Sequence, residues 1–161
     1  MDARIDLYSS EAAGNFTKHV NAAGAVVTSS TLPAATQELV KIRASQINGS
    51  GVCPDMHTKD AEHRGERSVR INLIAAWQET TVFTQAERAA LELAEQGTRV
   101  ADGGGVNDDA WANAAKHFDD DQLGALVCLI ALIALINLYN RLNVITCQPA
   151  GDYTPEHAGM S

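Results

Sequence analysis

Between Leu123 and Tyr139 the chain reads LGALVCLIALIALINLY, 17 consecutive residues without a charge. Such a stretch has few homes. As a helix it falls at the lower edge of what spans a bilayer, and Asn137, Asn140, Arg141 and Asn143 crowd its far end with no second span beside it. A membrane helix is therefore not expected. A helix apolar all round is otherwise buried all round. In a chain of 161 residues, one side has to be covered by neighbouring helices and the other by a second subunit. The expectation is a homo-oligomer built on this helix, with Cys128, inside it, serving as packing.

The remainder is also patterned for helices. Aromatic residues make up only 5% of the chain, and no segment alternates apolar with polar for long, so strands are not expected. Ser9 and Ser10 can cap a first helix, EAAGNFTKHVNAAGAVV. In LPAATQELVKIRASQIN, Leu39, Ile42 and Ile47 recur at near-helical spacing, Pro33 sits in the first turn and Asn48-Gly49 ends the run. A third helix is expected in PDMHTKDAEHRG, with Cys53 as its N-cap and Pro54 and Asp55 at its first two positions. A fourth, ERSVRINLIAAWQ, sets Val69, Leu73, Ala76 and Trp77 on one face, and a fifth begins with a capping box between Thr84 and Glu87. The glycine-rich turn ADGGGV lacks the lysine and preceding strand of a phosphate loop.

Composition narrows the function classes. With 45% hydrophobic and 20% charged residues the chain is expected to form one domain over 1–161, ending in a polar tail from 147. A net charge of -8, with 12 Lys and Arg and no basic cluster, argues against nucleic acid as a partner. The start, MDARIDLYSSE, has no apolar run, so a cytoplasmic location is expected. Three cysteines, Cys53, Cys128 and Cys147, are too few and too scattered for a disulfide framework and point to free thiols.

Cys53 is the thiol placed for chemistry. At a helix start it meets unpaired N–H groups and the positive end of the helix dipole, which favour thiolate and can bring a cysteine down to roughly 3.5–7.5. His57 follows four residues later on the same face, within reach directly or through one water. A base beside a thiol suits attack on a peroxide, because the departing oxygen needs a proton. The competing reading is a buried, inert cysteine. A metal centre is not expected: one Cys and one His leave a zinc site short of ligands, and His19, Glu62 and His63 lack ligand spacing.

The segments ELVKIRASQINGSGVCPDMHTKDA, AAWQETTVFTQAERAALELAE and INLYNRLNV together resemble the alkyl hydroperoxidase D (AhpD-like) and carboxymuconolactone decarboxylase family, from about Arg4 to Thr146. The resemblance implies an all-α, AhpD-like helical domain assembled as trimers or hexamers. It implies no cofactor. The peroxidase branch of that family carries a Glu in the helix ahead of the motif, then C-x-x-C, then a His four residues after the second Cys. By position Glu38, Cys53 and His57 match, and the resemblance implies that Glu38 and His57 relay protons for the thiol.

Ser50 stands where the first cysteine of that motif belongs. A hydroxyl cannot condense with a sulfenic acid, so the dithiol turnover is broken. Three readings stay open: a one-cysteine hydroperoxide reductase whose sulfenic acid is reduced by an external thiol or by Cys147; an acid–base reaction of Glu38 and His57 on a small carbonyl compound, as in the decarboxylase branch; and a catalytically silent oligomeric binding protein.

Overall fold

The computed structural model describes residues 4–5, 9–142 and 150–155. It is all-α, with no strand among the described residues. The helices are α1 (Glu11–Thr28), α2 (Ala34–Ile47), α3 (Val52–His63), α4 (Ser68–Leu73), α5 (Gln85–Thr98), α6 (Val100–Gly103), α7 (Asp108–Ala114) and α8 (Asp120–Leu142), with a 3-10 segment, Ile74–Glu79, continuing α4. Cys147 lies outside the described residues, as do positions 147–149 and 156–161 of the expected tail.

Helix α2 is the axis of the molecule. It packs against α3, α5, α8 and the 3-10 segment, and Thr36 to Ile42 are buried without a break, polar residues included. Its apolar side chains divide the interior. Val40 and Ala44 join α1, α5, α7 and α8 in one core cluster, while Leu39 and Ile42 join Ala61, Ile71, Trp77, Phe83 and Leu91 in another. In the first cluster Ala44, Ala89, Ala90, Ala94, Ala110 and Ala114 are buried, so the helix backbones there can approach closely. That close fit brings α8 and α5 against α2.

Within the single protomer helix α8 is covered on one side only. Leu123, Leu126, Leu129, Ile130, Ile133 and Asn137 face the core, whereas Val127, Ala131, Ala134 and Leu138 form an exposed stripe on the opposite side. Two stripes on one helix satisfy the protomer with half of its apolar surface. Cys128 lies on the exposed side and is not core packing. By length and composition α8 is the one described helix apolar enough to cross a membrane. Its inner stripe, however, is already committed to the core.

Two further expectations shift. Helix α3 starts at Val52 with Gly51 as cap, because the first i to i−4 bond runs from Asp55 N to Gly51 O at 3.3 Å; Cys53 is thus inside the first turn rather than the cap. Pro54 is still tolerated, since the first four N–H groups of a helix have no partner within it. In the fourth segment Val69 is half exposed, and the buried residues are Ile71, Ile74 and Trp77. Their spacing of three is the period of a 3-10 helix, which is entered at Ile74 and kinks at Ala76.

The capping box at Thr84 is present, with the Glu87 N–H donating to Thr84 Oγ1 at 3.2 Å and the Thr84 N–H donating to Glu87 Oε2 at 2.7 Å. Glu87 also accepts from Arg70, which bonds Glu66 and lies 5.1 Å from the Phe83 ring centroid. One guanidinium thereby ties α4 to α5. Arg70→Leu is expected to cost about 3 kcal/mol, because it strands two half-buried carboxylates, and Thr84→Ala about 1 kcal/mol. Urea unfolding of both single variants and the double variant should show non-additivity, since the two changes share Glu87.

Candidate active site

The site forms where α2 ends, α3 begins and the last turn of α8 arrives. Asn48-Gly49 terminates α2 as the sequence predicts. Gly49 adopts φ 65°, Gly49 N bonds Gln46 O at 3.2 Å, and Ser50 N bonds Ser45 O at 3.1 Å. This is a Schellman closure, for which a glycine in the left-handed region is the natural residue. It folds Ser50 back onto Ser45 and delivers the chain directly into α3. A second closure at Gly65, φ 91°, ends α3 with Arg64 at its C-cap.

Buried residues of α3 are Cys53, His57 and Ala61, spaced by four along the face that meets α2. From α2, Glu38, Lys41 and Ser45 share a face by their spacing of three and four. Glu38 is the hub. Its Oε1 accepts from Lys41 Nζ at 2.7 Å and from Arg64 Nη1, and its Oε2 stands 3.4 Å from His57 Nδ1. The last distance is long for a direct hydrogen bond, yet neither atom has any other partner. Each is therefore the other's natural complement.

The electrostatics follow from burial opposed by neighbours. Burial pushes the Glu38 carboxyl up, but His57 and then Lys41 more than offset it and hold the group at about 2. Burial pushes the His57 imidazole down, and the opposing pull of Glu38 does not restore it. Near neutral pH the pair is thus a carboxylate facing a neutral imidazole. With the Nδ1 proton turned to Glu38, Nε2 is left as a base.

Cys53 lies in a separate niche. Its sulfur accepts from Asn140 Nδ2 of α8 at 2.9 Å, and the Ser50 and Ser45 hydroxyls lie buried beside it with no hydrogen-bond partner. His57 is one turn away on the same helix but is not among these partners. Burial raises the thiol above its ordinary value, with Ser50, Asn140 and Ser45 opposing. The expected lowering by the helix start is overturned: for a sulfur 1% exposed, lost hydration outweighs the dipole.

Sequence spacing missed Lys41, Ser45, Arg64 and Asn140, although Lys41 and Ser45 fall on the Glu38 face and Asn140 belongs to the polar end of α8. It also missed the return of the chain over α3. Lys59 Nζ donates to Gly151 O at 2.8 Å and Tyr153 O at 2.9 Å, and Tyr153 Oη donates to Asp60 Oδ1 at 2.8 Å. Burial, then Asp60, pushes the Tyr153 hydroxyl up to about 12.

Glu38, His57 and Asp60 offer three ligand-type atoms within 4.8 Å of one another, a grouping that His19, Glu62 and His63 do not make. A cation there would compete with the Lys41 ammonium and the Arg64 guanidinium on Glu38 and with Tyr153 on Asp60. The charge is already met, which favours a proton relay over a metal centre. Two cavities flank the relay. An apolar one between α1, α2, α3 and α8 reaches His57, Lys41 and Met56 past Leu132 and Ile136; the other exposes Glu38 and Arg64 beside Ala34 and Ala35.

Known proteins resemble this chain in sequence and in shape. The uncharacterized protein YdfG of Bacillus subtilis is 40% identical over 100 residues, 62% of this chain and 67% of YdfG. A crystal structure from Agrobacterium tumefaciens, of a protein of unknown function with a suggested role in antioxidant defence as AhpD, has a TM-score of 0.80 and 33% identity, covering 92% of this chain and 99% of that one. The family model for carboxymuconolactone decarboxylases matches residues 14–96, the span that holds Glu38, Ser50, Cys53 and His57. With over half of its length matched, this chain belongs to the carboxymuconolactone decarboxylase family.

Proposed function

We propose that the protein is a one-cysteine hydroperoxide reductase in which Cys53 is the nucleophile and Glu38 and His57 move the proton. The observation that carries this reading is a neutral imidazole backed by an ionised carboxylate, one helical turn from a buried, hydrogen-bonded thiol. The likeness to the Agrobacterium protein with a suggested role in antioxidant defence supports it.

The chemistry addresses the raised thiol directly. Cys53 rests protonated, and His57 Nε2 takes the proton, directly or through one water, as the substrate arrives. The thiolate attacks the terminal peroxide oxygen; an S–O bond forms, the O–O bond breaks, sulfur gives up two electrons, and the imidazolium proton passes to the departing alkoxide. Alcohol and Cys53 sulfenic acid result. One external thiol then displaces water to give a mixed disulfide, and a second releases Cys53 as thiol. Ser50 takes no part in that exchange. The apolar cavity ending at His57 and Met56 admits a substrate with a hydrocarbon body.

A second reading, acid–base chemistry on a small carbonyl compound, is favoured by one observation: the Cys53 sulfur accepts its hydrogen bond from Asn140 rather than from His57. The relay would then act alone, with Lys41 in the cavity to meet an anionic oxygen. The two readings separate cleanly. Cumene hydroperoxide consumption with a thiol reductant should vanish in Cys53→Ala and fall by about 10²–10⁴-fold in His57→Ala. Turnover of a carbonyl acid that survives Cys53→Ala and is lost in His57→Ala would instead establish the second.

The relay also predicts an acid dependence of stability. Glu38 is held at about 2 against an ordinary 4.5, so its stabilisation is complete above pH 4.5 and is lost as pH falls toward about 2. The shift corresponds to roughly 3 kcal/mol. Unfolding free energies measured from pH 6 to pH 3 should decline less steeply in Glu38→Gln than in the parent protein.

We infer further that the exposed stripe of α8 pairs protomers, because Val127, Ala131, Ala134 and Leu138 recur at helical spacing as a continuous apolar seam. Sedimentation should give a multiple of the 17.1 kDa protomer mass. Val127→Asp with Leu138→Asp should yield the monomer.

A further inference from the structure

One donor reaches the Cys53 sulfur, and two buried hydroxyls stand beside it. Asn140 Nδ2 comes from α8, 2.9 Å from Cys53 Sγ, and the hydroxyls of Ser45 and Ser50 come from the two sides of the Schellman closure. Ser45 is 0% and Ser50 7% exposed, and neither hydroxyl has a hydrogen-bond partner. A thiol sulfur is a weak acceptor. Burying two hydroxyls with nothing to satisfy them is costly. The oxygen of a sulfenic acid, by contrast, both accepts and donates hydrogen bonds.

The cradle is rigidly built. The Ser50 N–H bonds Ser45 O at 3.1 Å, and Arg141, next to Asn140, donates to Gly49 O at 3.3 Å, locking the end of α8 to the same turn. Cys128 cannot intervene. It precedes Asn140 by 12 residues on α8, roughly 18 Å along a helix, and it faces outward.

We propose that Ser45, Ser50 and Asn140 hold oxidised Cys53 as a persistent sulfenic acid, with Asn140 as the positioning residue. The proposal rests on the hydroperoxide reading of the site and deepens it. A hydroperoxide supplies the oxygen: sulfur is oxidised by two electrons, the O–O bond is cleaved, the alkoxide leaves with the proton from His57, and the new S–OH group is clasped by Asn140 and by two hydroxyls that were unpaired before. Ser50, in the position where the family resemblance places a second thiol, thus serves the oxidised state instead of destroying it. The state lasts until an external thiol enters.

The test uses the reduced full-length chain with one equivalent of cumene hydroperoxide and no reductant, followed over time by intact mass and by dimedone trapping mapped to Cys53. A gain of one oxygen on Cys53 that persists in the parent protein is expected. Ser50→Ala, Ser45→Ala and Asn140→Leu should shorten its lifetime at least tenfold, with onward oxidation to sulfinic acid, and Asn140→Gln should recover part of it. Ser50→Ala and Ser45→Ala remove one buried oxygen each, which keeps the test open should the Asn140 variants fail to fold. Oxidation with equal lifetimes in all variants, or prompt loss of two hydrogens as a Cys53–Cys147 disulfide, would overturn the cradle and leave the hydroperoxide reading standing. Absence of any oxidation at Cys53 would sink both.

Discussion

A carboxylate 3% exposed in the middle of a helical core survives only where cations and donors meet it. Glu38 is such a group, and its partners come from three places: Lys41 one turn along α2, His57 in the middle of α3 and Arg64 at the end of α3. Together they fix the register of α3 on α2. A slide of one residue would rotate α3 by about 100° and leave an uncompensated charge in the interior, so the pairing of these helices is all or nothing. The site inherits that rigidity. Cys53 and His57 are carried on the same face of α3 that Glu38 secures.

The same constraint explains why the most buried helix is not the most apolar one. Leu39 and Ile42, whose spacing identifies α2 in the sequence, do reach the core, but so do Gln37, Glu38, Lys41 and Ser45. Periodicity could not show this, because it separates apolar from polar faces and assumes that the polar one meets water. What covers the polar face of α2 is the functional face of α3. The readable signal was chemical: an acid, a lysine and a serine at intervals of three and four ahead of a Cys and a His.

Helix α8 was legible in its existence and illegible in its division. An uncharged run cannot tell an inner stripe from an outer one, since Leu126 and Val127 look alike until α2 and α5 choose between them. Its polar end carried more meaning than its apolar body. Asn140 and Arg141 weigh against a bilayer when read alone, and in the fold they reach the Cys53 sulfur and the Gly49 carbonyl. Residues far apart in sequence had to be brought together before that role existed.

The thiol shows where local rules stop. A cysteine in the first turn of a helix is drawn toward thiolate by the N–H groups around it, and that inference needs only sequence. Removing the sulfur from water opposes it and depends on every neighbour at once. Here burial prevails, and the resting form is the thiol. On the proposed reading a protonated thiol needs the adjacent base: Glu38 faces His57, His57 is neutral because it too is buried, and one act of closure over α3 creates both the difficulty and the means of resolving it. In such a site the Ser50 hydroxyl, buried beside the sulfur with no hydrogen-bond partner of its own, is a donor still in want of an acceptor.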